Sequence, residues 1–273
     1  MDTVELGRTG LSVSRLAFGT GTHGWAGSSE QTGLGLDGLA DLLCQAYDHG
    51  VTLWDAADAY GSHPHVARAL QTVPRDRVVL MTKTTSQDGD RVTRDVERFL
   101  RELNTDMLDI VLLHFMTQSD WPRRYAGAMD ALSRAQQQGK VRAVGVSCHG
   151  LGPLRQAAAS DWVEVVLARI NSAGASMSAS PSEVAPVIEE MYVSGKGICG
   201  IKVLGCGQLA RKARAAIKYV LQQGTVHSLV IGTSSQEQLL ENARLVEDLA
   251  PRHPLQESHV SRGPKLLVRT KRP

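Results

Sequence analysis

The chain has 273 residues, a formal net charge of +2 at neutral pH and 42% hydrophobic residues. This length suits one large domain or two smaller ones, and the near-neutral charge gives no reason to expect nucleic acid or an anionic membrane as a partner. No apolar run approaches the ~20 residues needed to span a bilayer. The sequence also has no signal-peptide pattern after Met1 and no CxxC pair among its four cysteines. These features predict a cytoplasmic protein without a metal site.

The first segment predicts a β-hairpin, because short alternating runs flank Gly7 and Gly10. A strand over residues 16–18 follows, and then a loop rich in Gly and Ser over residues 21–35. From residue 36 onward, helical and strand patterns alternate. The predicted helices cover residues 36–48, 63–70, 90–103, 125–138, 151–158, 181–193, 209–221 and 237–249, and the later strands cover residues 51–54, 78–83, 108–113, 141–147, 163–170, 198–204 and 226–231.

Eight strands that each precede a helix, within about 250 residues, are typical of a (β/α)8 TIM barrel. We therefore predict one barrel domain over residues 1–250, closed at the bottom by the N-terminal hairpin, and a basic, loosely ordered tail over residues 251–273. A doubly wound open sheet is the alternative. It would need a Gly-x-Gly-x-x-Gly turn that leads into a helix, whereas no helical pattern follows residues 19–24 for more than ten residues.

Charged residues end three successive predicted strands. These residues are Asp55, Lys83 and His114, and Tyr60 follows Asp55 in the next loop. The carboxyl ends of barrel strands form the active-site rim, and neighbouring strands lie roughly 5 Å apart, so we expect the four side chains to converge. Lys83 would lower the pKa of Tyr60, Asp55 would hold Lys83, and His114 would donate a hydrogen bond to a substrate oxygen. The set predicts a proton donor to a carbonyl, with the electron pair supplied by a cofactor.

The run Asp55-Ala-Ala-Asp-Ala-Tyr60-Gly61, with Lys83 and His114 at this spacing, resembles the aldo-keto reductase superfamily. The resemblance extends from the N-terminal hairpin to residues 231–242. It implies reversible NAD(P)H-dependent reduction of an aldehyde or ketone to an alcohol, and it favours NADP(H) over NAD(H). In such a reaction Tyr60 would be the acid in reduction and the base in oxidation, and His114 would orient the carbonyl.

The resemblance also implies a cofactor site across the barrel mouth. Its residues would be Gly19, Thr20, Asp55, Ser147, Cys148, Asn171, Ile201, Lys202, Leu204, Gly205, Gly207, Gly232, Thr233, Ser234, Gln238, Glu241 and Asn242. The chain departs from the family pattern at Cys148, often Asn, and at Ile201, often Tyr, and it lacks the Gln that usually precedes Asn171. Some members have Lys and Arg at the positions of Gly232 and Gln238, so the expected contact with a 2′-phosphate is weakened.

Aromatic residues of the rim loops, together with two of the four catalytic candidates, are expected to line the substrate pocket. The set is Trp25, Tyr60, His114, Phe115 and Trp121. His63 and His65 are predicted to be surface residues at a helix start. A cofactor-binding regulatory or redox-sensing barrel that acts through a protein partner stays open as a second function, although the complete catalytic set disfavours it. The substrate and the oligomeric state have no signal in the sequence.

Overall fold

The computed structural model of the chain describes residues 1–250, so the predicted tail lies outside the described residues. The strands are β1 (Thr3–Glu5), β2 (Ser12–Ser14), β3 (Leu16–Gly19), β4 (Leu53–Asp55), β5 (Val79–Thr84), β6 (Leu108–Met116), β7 (Val141–Cys148), β8 (Val165–Arg169), β9 (Gly197–Ile201) and β10 (Ser228–Gly232). The helices are α1 (Leu36–Asp48), α2 (His63–Ala69), α3 (Gly89–Leu103), α4 (Trp121–Arg124), α5 (Ala126–Gln137), α6 (Leu151–Ala159), α7 (Pro181–Val193), α8 (Ala213–Gln222) and α9 (Gln236–Leu249).

Strands β3 to β10 form a closed parallel barrel in chain order, and β10 pairs with β3 to complete it. Strands β1 and β2 form a separate antiparallel hairpin. The predicted (β/α)8 barrel with an N-terminal hairpin is confirmed. The doubly wound alternative is wrong, because an open sheet would leave two unpaired edges.

The barrel interior is filled by apolar side chains that alternate along each strand, since successive side chains of a strand point to opposite faces. Three hairpin residues, Leu6, Leu11 and Val13, belong to the same buried cluster as the inward residues of the strands. The inward residues are Ala17, Leu53, Val79, Met81, Ile110, Leu112, Ala143, Val165, Leu167, Cys199, Ile201 and Val230. Burial of each hairpin leucine contributes roughly 1.5–3 kcal/mol, so the hairpin closes the barrel by packing.

Gly7 shows why the hairpin needs a glycine where it meets the barrel. Its φ is +56°, and a Cβ atom there would lie 2.5 Å from the carbonyl oxygen of Gly195 and from the nitrogen of Gly197, the first residue of β9. Only glycine adopts this backbone conformation and tolerates this approach without strain. The contact places the hairpin at the amino ends of the strands, opposite the predicted active-site rim.

The structure differs from the predicted boundaries at two rim positions. Strand β6 continues beyond His114 to Met116, through a register irregularity at which Phe115 has a φ of +66°. Strand β9 ends at Ile201 rather than at residue 204, and α8 starts four residues later than predicted. The strand ends there because Lys202 has a φ of +59°, and the turn Gly205–Gly207, whose three residues all have positive φ, delays the start of the helix. None of the helices in residues 1–250 has the length and hydropathy needed to cross a membrane.

Candidate active site

The four predicted catalytic residues come together at the carboxyl ends of β4, β5 and β6. Lys83 and Asp55, whose side chains are 1% and 5% exposed, form a buried ion pair in which the ammonium donates to Oδ1 at 2.5 Å. The same ammonium donates to the carbonyl of Ala56 at 2.8 Å. It lies 4.9 Å from the centre of the Tyr60 ring. The Tyr60 hydroxyl in turn lies 3.3 Å from Nε2 of His114.

Strand alternation explains why these side chains all point inward at the carboxyl end of the barrel. Leu53, Met81 and Leu112 point into the barrel, so the residues two positions later on β4, β5 and β6 point inward as well. Those residues are Asp55, Lys83 and His114. The ion pair, the imidazole and the phenol therefore form the polar top of an apolar core.

Tyr60 lies on a short 3-10 turn, Asp58–Tyr60, that is held from two sides. On one side, the guanidinium of Arg98 in α3 donates to both carboxylate oxygens of Asp58, at 2.8 and 2.9 Å. On the other side, Gly21 lies against the aromatic ring, and a Cβ atom there would be only 2.2 Å from Cε2 of Tyr60. The paired hydrogen bonds and the glycine contact together determine where the phenol points.

The prediction that His63 is a surface residue is wrong. Its imidazole is buried, with Nδ1 2.7 Å from a carboxylate oxygen of Glu102 and Nε2 2.7 Å from the hydroxyl of Thr82. The cause is the packing of α2 against α3, which sequence periodicity did not resolve. The ligand atoms of Asp58, His63 and Glu102 lie within 4.8 Å of one another, as a metal would require. Arg98 already pairs with both carboxylates, so the cluster gives no argument for a metal.

The expected lowering of the Tyr60 pKa is also corrected. Burial raises the pKa of the phenol, and the Asp55 carboxylate raises it further. Lys83 does not offset this, because its charge is paired with Asp55 and its hydrogen bonds go to Asp55 and Ala56. Burial, with Lys83 nearby, holds the pKa of His114 well below its usual range. At neutral pH the site therefore contains a protonated phenol beside a neutral imidazole.

A cavity of about 360 Å³ opens beside these residues. Among the predicted cofactor residues, those on its wall are Gly19, Asp55, Ser147, Ile201, Lys202, Leu204, Gly207, Gly232, Ser234, Gln238, Glu241 and Asn242. Tyr60 lines the cavity too, whereas Lys83 and His114 adjoin Tyr60 rather than the cavity wall. The predicted residues that do not reach the wall are Thr20, Cys148, Asn171, Gly205 and Thr233.

For two of these five residues, the structure shows why the side chain does not reach the cavity wall. Cys148 follows Ser147 on β7 and so points to the opposite face of the strand, where its thiol is buried among core residues. The Asn171 amide makes four hydrogen bonds within the loops, donating to the carbonyls of Ala175 and Lys202 and accepting from the backbone N–H groups of Ala173 and Ala175. We therefore correct the assignment of both side chains to the cofactor site.

The cavity wall suits an extended anionic dinucleotide. Lys202 is the one Lys or Arg among the described wall residues. Beside it lies the turn Gly205–Gly207, with φ values of 57°, 53° and 88°, whose Gly205 and Gly207 N–H groups donate to the carbonyls of Lys202 and Leu204. At the far end, a Cβ atom on Gly232 would lie 2.1 Å from the hydroxyl of Thr22, so this wall position needs a glycine.

The predicted substrate residues divide into two groups. Trp25 and Phe115 are 53% and 42% exposed at the rim, with ring centres 5.6 Å apart, and Trp25 lies 6.2 Å from His114. Trp121 instead starts α4 and is buried, with its indole N–H donating to the carbonyl of Pro153 at 3.2 Å. The assignment of Trp121 to the substrate pocket is wrong, because this side chain packs beneath α6.

Sequence reasoning missed His149, which lies on the cavity wall. Its ring packs on Phe115 with centres 4.2 Å apart, and it contacts the side chains of Ser147 and Arg169. Its position two residues after the inward-facing Ser147 was the available signal. Other unpredicted wall residues are Gly21, Thr22, His23, Glu30, Leu167, Val203, Cys206, Ala210, Ala213, Val230 and Ile231.

Comparison with known proteins agrees with this geometry. A family model described as the aldo/keto reductase family matches residues 15–215. The chain belongs to the aldo/keto reductase family. The match runs from β3 through the start of α8 and so includes the strands that carry Asp55, Lys83 and His114. The family is one of oxidoreductases that use nicotinamide cofactors.

Individual relatives of this reductase chain are distant. An aldo-keto reductase of Bacillus subtilis is 30% identical over 167 residues, which cover 54% of the chain and 47% of the relative. The NADH-specific methylglyoxal reductase of Escherichia coli is 26% identical over 170 residues, which cover 54% and 52%. The chain thus spans about half the length of these curated relatives. A solved structure from Pseudomonas aeruginosa, assigned to the aldo-keto reductases, has a TM-score of 0.75 and 26% identity over 90% of this chain and 95% of that one.

Proposed function

We propose that the protein reduces an aldehyde or ketone to an alcohol with NADH or NADPH, and that residues 1–250 form its catalytic domain. The observation that carries the proposal is the Tyr60 hydroxyl, which lies 3.3 Å from Nε2 of His114 and beside the Lys83–Asp55 pair. When bound, the nicotinamide supplies the hydride to the carbonyl carbon. Tyr60 donates its proton to the carbonyl oxygen, and a ring N–H of His114 orients that oxygen.

Because the pKa of Tyr60 is raised, the phenol at neutral pH is in the acid form that reduction needs rather than the base form that oxidation needs. A phenol that keeps its proton is ready to act as the acid in reduction. Oxidation of an alcohol would need the phenolate, which burial disfavours. Lys83 does not offset this cost, because its ammonium is paired with the Asp55 carboxylate and lies 4.9 Å from the ring centre. We therefore expect the rate of alcohol oxidation to keep rising with pH above neutrality.

The choice between NADP(H) and NAD(H) is a separate proposal. The family resemblance favours NADP(H), whereas the Escherichia coli relative is named as NADH-specific. At the adenosine end of the cavity, the described wall residues include Gln238 and Glu241 but neither Lys nor Arg. One charge-assisted phosphate contact is worth about 1.4 kcal/mol or more, so we expect the dissociation constants of NADPH and NADH to agree within about tenfold.

The proposal is tested by titration with NADPH and NADH, followed by turnover on a panel of aldehydes and ketones. Tyr60→Phe keeps the ring and removes the proton donor, so we expect kcat to fall by about 10²-fold or more while cofactor affinity is retained. Tyr192→Phe, on the exposed surface of α7, is the matched control and should leave both unchanged. Tight cofactor binding without turnover of any carbonyl would refute the reductase function.

That refuting result would favour the second candidate, a regulatory barrel that works through a protein partner. No observation on the described residues supports it. Methylglyoxal belongs in the carbonyl panel, because the Escherichia coli relative is named for its reduction. The cytoplasmic location and the basic tail over residues 251–273 stay predictions.

A further inference from the structure

Three polar side chains form a continuous chain at the cavity wall, outside the four catalytic residues. The guanidinium of Arg169 donates through Nη2 to Nδ1 of His149, and Nε2 of His149 lies 3.2 Å from the hydroxyl of Ser147. Arg169 also donates to the carbonyl of Ser176 at 3.0 Å, and its Nε is buried without a hydrogen-bond partner among the described residues. Arg169 ends β8 two residues after the inward-facing Leu167, so it points toward the same mouth of the barrel.

The hydrogen-bonding capacities of these groups decide where each proton lies. A guanidinium has donors only, so Nδ1 of His149 must be the acceptor. The proton of the neutral ring then lies on Nε2, which donates to the oxygen of Ser147. Burial and the Arg169 charge support the neutral form, because they lower the pKa of His149 to about 3. The hydroxyl proton of Ser147 is left free to donate into the cavity.

Apart from the second lone pair of the Ser147 hydroxyl, the side chains of residues 147–149, 167 and 171 leave no acceptor free for an amide N–H. The Oδ1 atom of Asn171 already accepts from the backbone N–H groups of Ala173 and Ala175. Cys148 points away from the cavity, and Leu167 offers no polar atom. Among the side chains of residues 147–149, 167 and 171, Ser147 is thus the one with a free donor that faces the cavity, and His149 sets the direction of its hydrogen bond.

We propose that Arg169 and His149 are positioning residues that make Ser147 a dedicated donor to the carbonyl oxygen of the nicotinamide carboxamide. The inference rests on the proposed function, because it requires that a nicotinamide dinucleotide binds in this cavity. It implies that the protein recognises the carbonyl oxygen of the carboxamide and is indifferent to its NH2 group. A cofactor that has an acetyl group or a carboxylate instead of the carboxamide still has an oxygen that accepts this hydrogen bond, and we expect it to bind.

The first test is calorimetric titration of the full-length protein with NAD+, with 3-acetylpyridine adenine dinucleotide and with nicotinic acid adenine dinucleotide. We expect the acetyl form to bind within about threefold of NAD+, and the carboxylate form to bind equally or more tightly because two cations, Arg169 and Lys202, lie close to His149. An acetyl form that binds more than about tenfold weaker would show that the NH2 group has an acceptor, and would overturn the inference.

Arg169→Met provides the second test, because it removes the donor and the charge together. We expect the ratio of carboxylate-form to NAD+ affinity to fall about tenfold, and the His149 ring, followed by NMR, to titrate at a higher pH than in the parent. Arg169→Lys retains the charge and should restore part of the ratio. Arg214→Met, which removes an exposed pair with Asp248, is the control.

If Arg169→Met does not fold, His149→Phe removes the Nε2 donor that fixes the Ser147 hydroxyl, so the affinities for NAD+ and for the acetyl form should both fall. Wild-type protein that binds none of the three dinucleotides and neither NADPH nor NADH refutes the proposed function itself. Wild-type protein that binds them all, with a ratio that Arg169→Met does not change or with affinities that His149→Phe does not change, refutes the inference alone.

Discussion

Replacing Lys83 with methionine is the sharpest test of how the active-site rim is held together. The substitution leaves the Asp55 carboxylate buried at the end of β4 without the ammonium that lies 2.5 Å from it. Removing one partner of a buried ion pair costs roughly 3–5 kcal/mol. This cost includes the loss of the hydrogen bond that the Lys83 ammonium donates to the Ala56 carbonyl. A domain of this kind is stable by about 5–15 kcal/mol in total, so the loss should be a large fraction of it.

The double variant Asp55→Leu/Lys83→Met separates charge from packing. Replacing both charges by apolar side chains of similar volume is often neutral or stabilising, so we expect the double variant to be more stable than Lys83→Met by about 2 kcal/mol or more. Both variants should lose carbonyl turnover. The assay is equilibrium urea unfolding followed by circular dichroism, with the shift in midpoint read at constant slope. Lys140→Met breaks a partly exposed pair with Glu97 and should cost less than about 1 kcal/mol.

The pH dependence of the single variant gives an independent check. Burial raises the pKa of the Asp55 carboxyl even with Lys83 present, so without Lys83 the folded state should bind the proton more tightly than the unfolded chain does. The stability of Lys83→Met then falls as the pH rises from about 4, the pKa of an Asp in the unfolded chain, through the raised pKa of folded Asp55. The penalty of the substitution should therefore shrink toward pH 4. The reasoning is refuted if Lys83→Met stays within about 1 kcal/mol of the parent, or if the double variant is no more stable than the single one.

Three further predictions concern the surroundings of the site and the base of the barrel. Gly21→Ala should lower kcat by about 10²-fold because its methyl group displaces the Tyr60 ring, as measured by steady-state kinetics. Arg98→Met should lower kcat about tenfold at little change in KM, since Asp58 loses both hydrogen bonds that anchor the Tyr60 turn. Burial lowers the pKa of His227 to about 4, so between pH 6.5 and 4 the free energy of unfolding should fall by up to about 1.4 kcal/mol per unit as the unfolded chain alone binds the proton. His227→Asn should flatten that slope in urea unfolding.

The first two of these have a matched control, and all three have a contradicting outcome. Gly33→Ala adds a methyl group in open space and should leave kcat unchanged; an equal loss in both glycine variants would contradict the steric argument. Arg98→Lys keeps one cationic donor and should recover part of the kcat that Arg98→Met loses. A lysine variant with a kcat no higher than that of the methionine variant would contradict the anchoring role of Arg98. An acid slope that His227→Asn does not alter would assign acid sensitivity to other groups.

The architecture followed from local sequence patterns because a parallel barrel repeats one unit. Each strand is an apolar run and each helix has an amphipathic period. The order of the strands along the chain then predicts which strands are neighbours in the barrel. The same regularity places Asp55, Lys83 and His114 on one rim, since all three face inward at the carboxyl ends of adjacent strands. The motif around Tyr60 then led to the aldo/keto reductase family before any contact was known.

The boundaries of the elements and the roles of several side chains were harder to predict from the sequence, because they depend on contacts between distant segments. Trp121 looked like a rim aromatic until the packing of α4 under α6 was visible. His63 looked exposed until the contact between α2 and α3 placed Glu102 against it. Asn171 matched the family pattern in sequence, yet its amide is used by neighbouring loops.

The sequence by itself determined the barrel, its hairpin and the identity of the four catalytic candidates, because these depend on periodicity and on position along a strand. The tertiary structure alone decided the protonation of Tyr60 and the chain from Arg169 through His149 to Ser147. A pKa depends on burial and on how nearby charges are already paired, and a hydrogen-bond direction depends on which partner can only donate. Neither quantity is a property of a residue type or of its spacing in the chain.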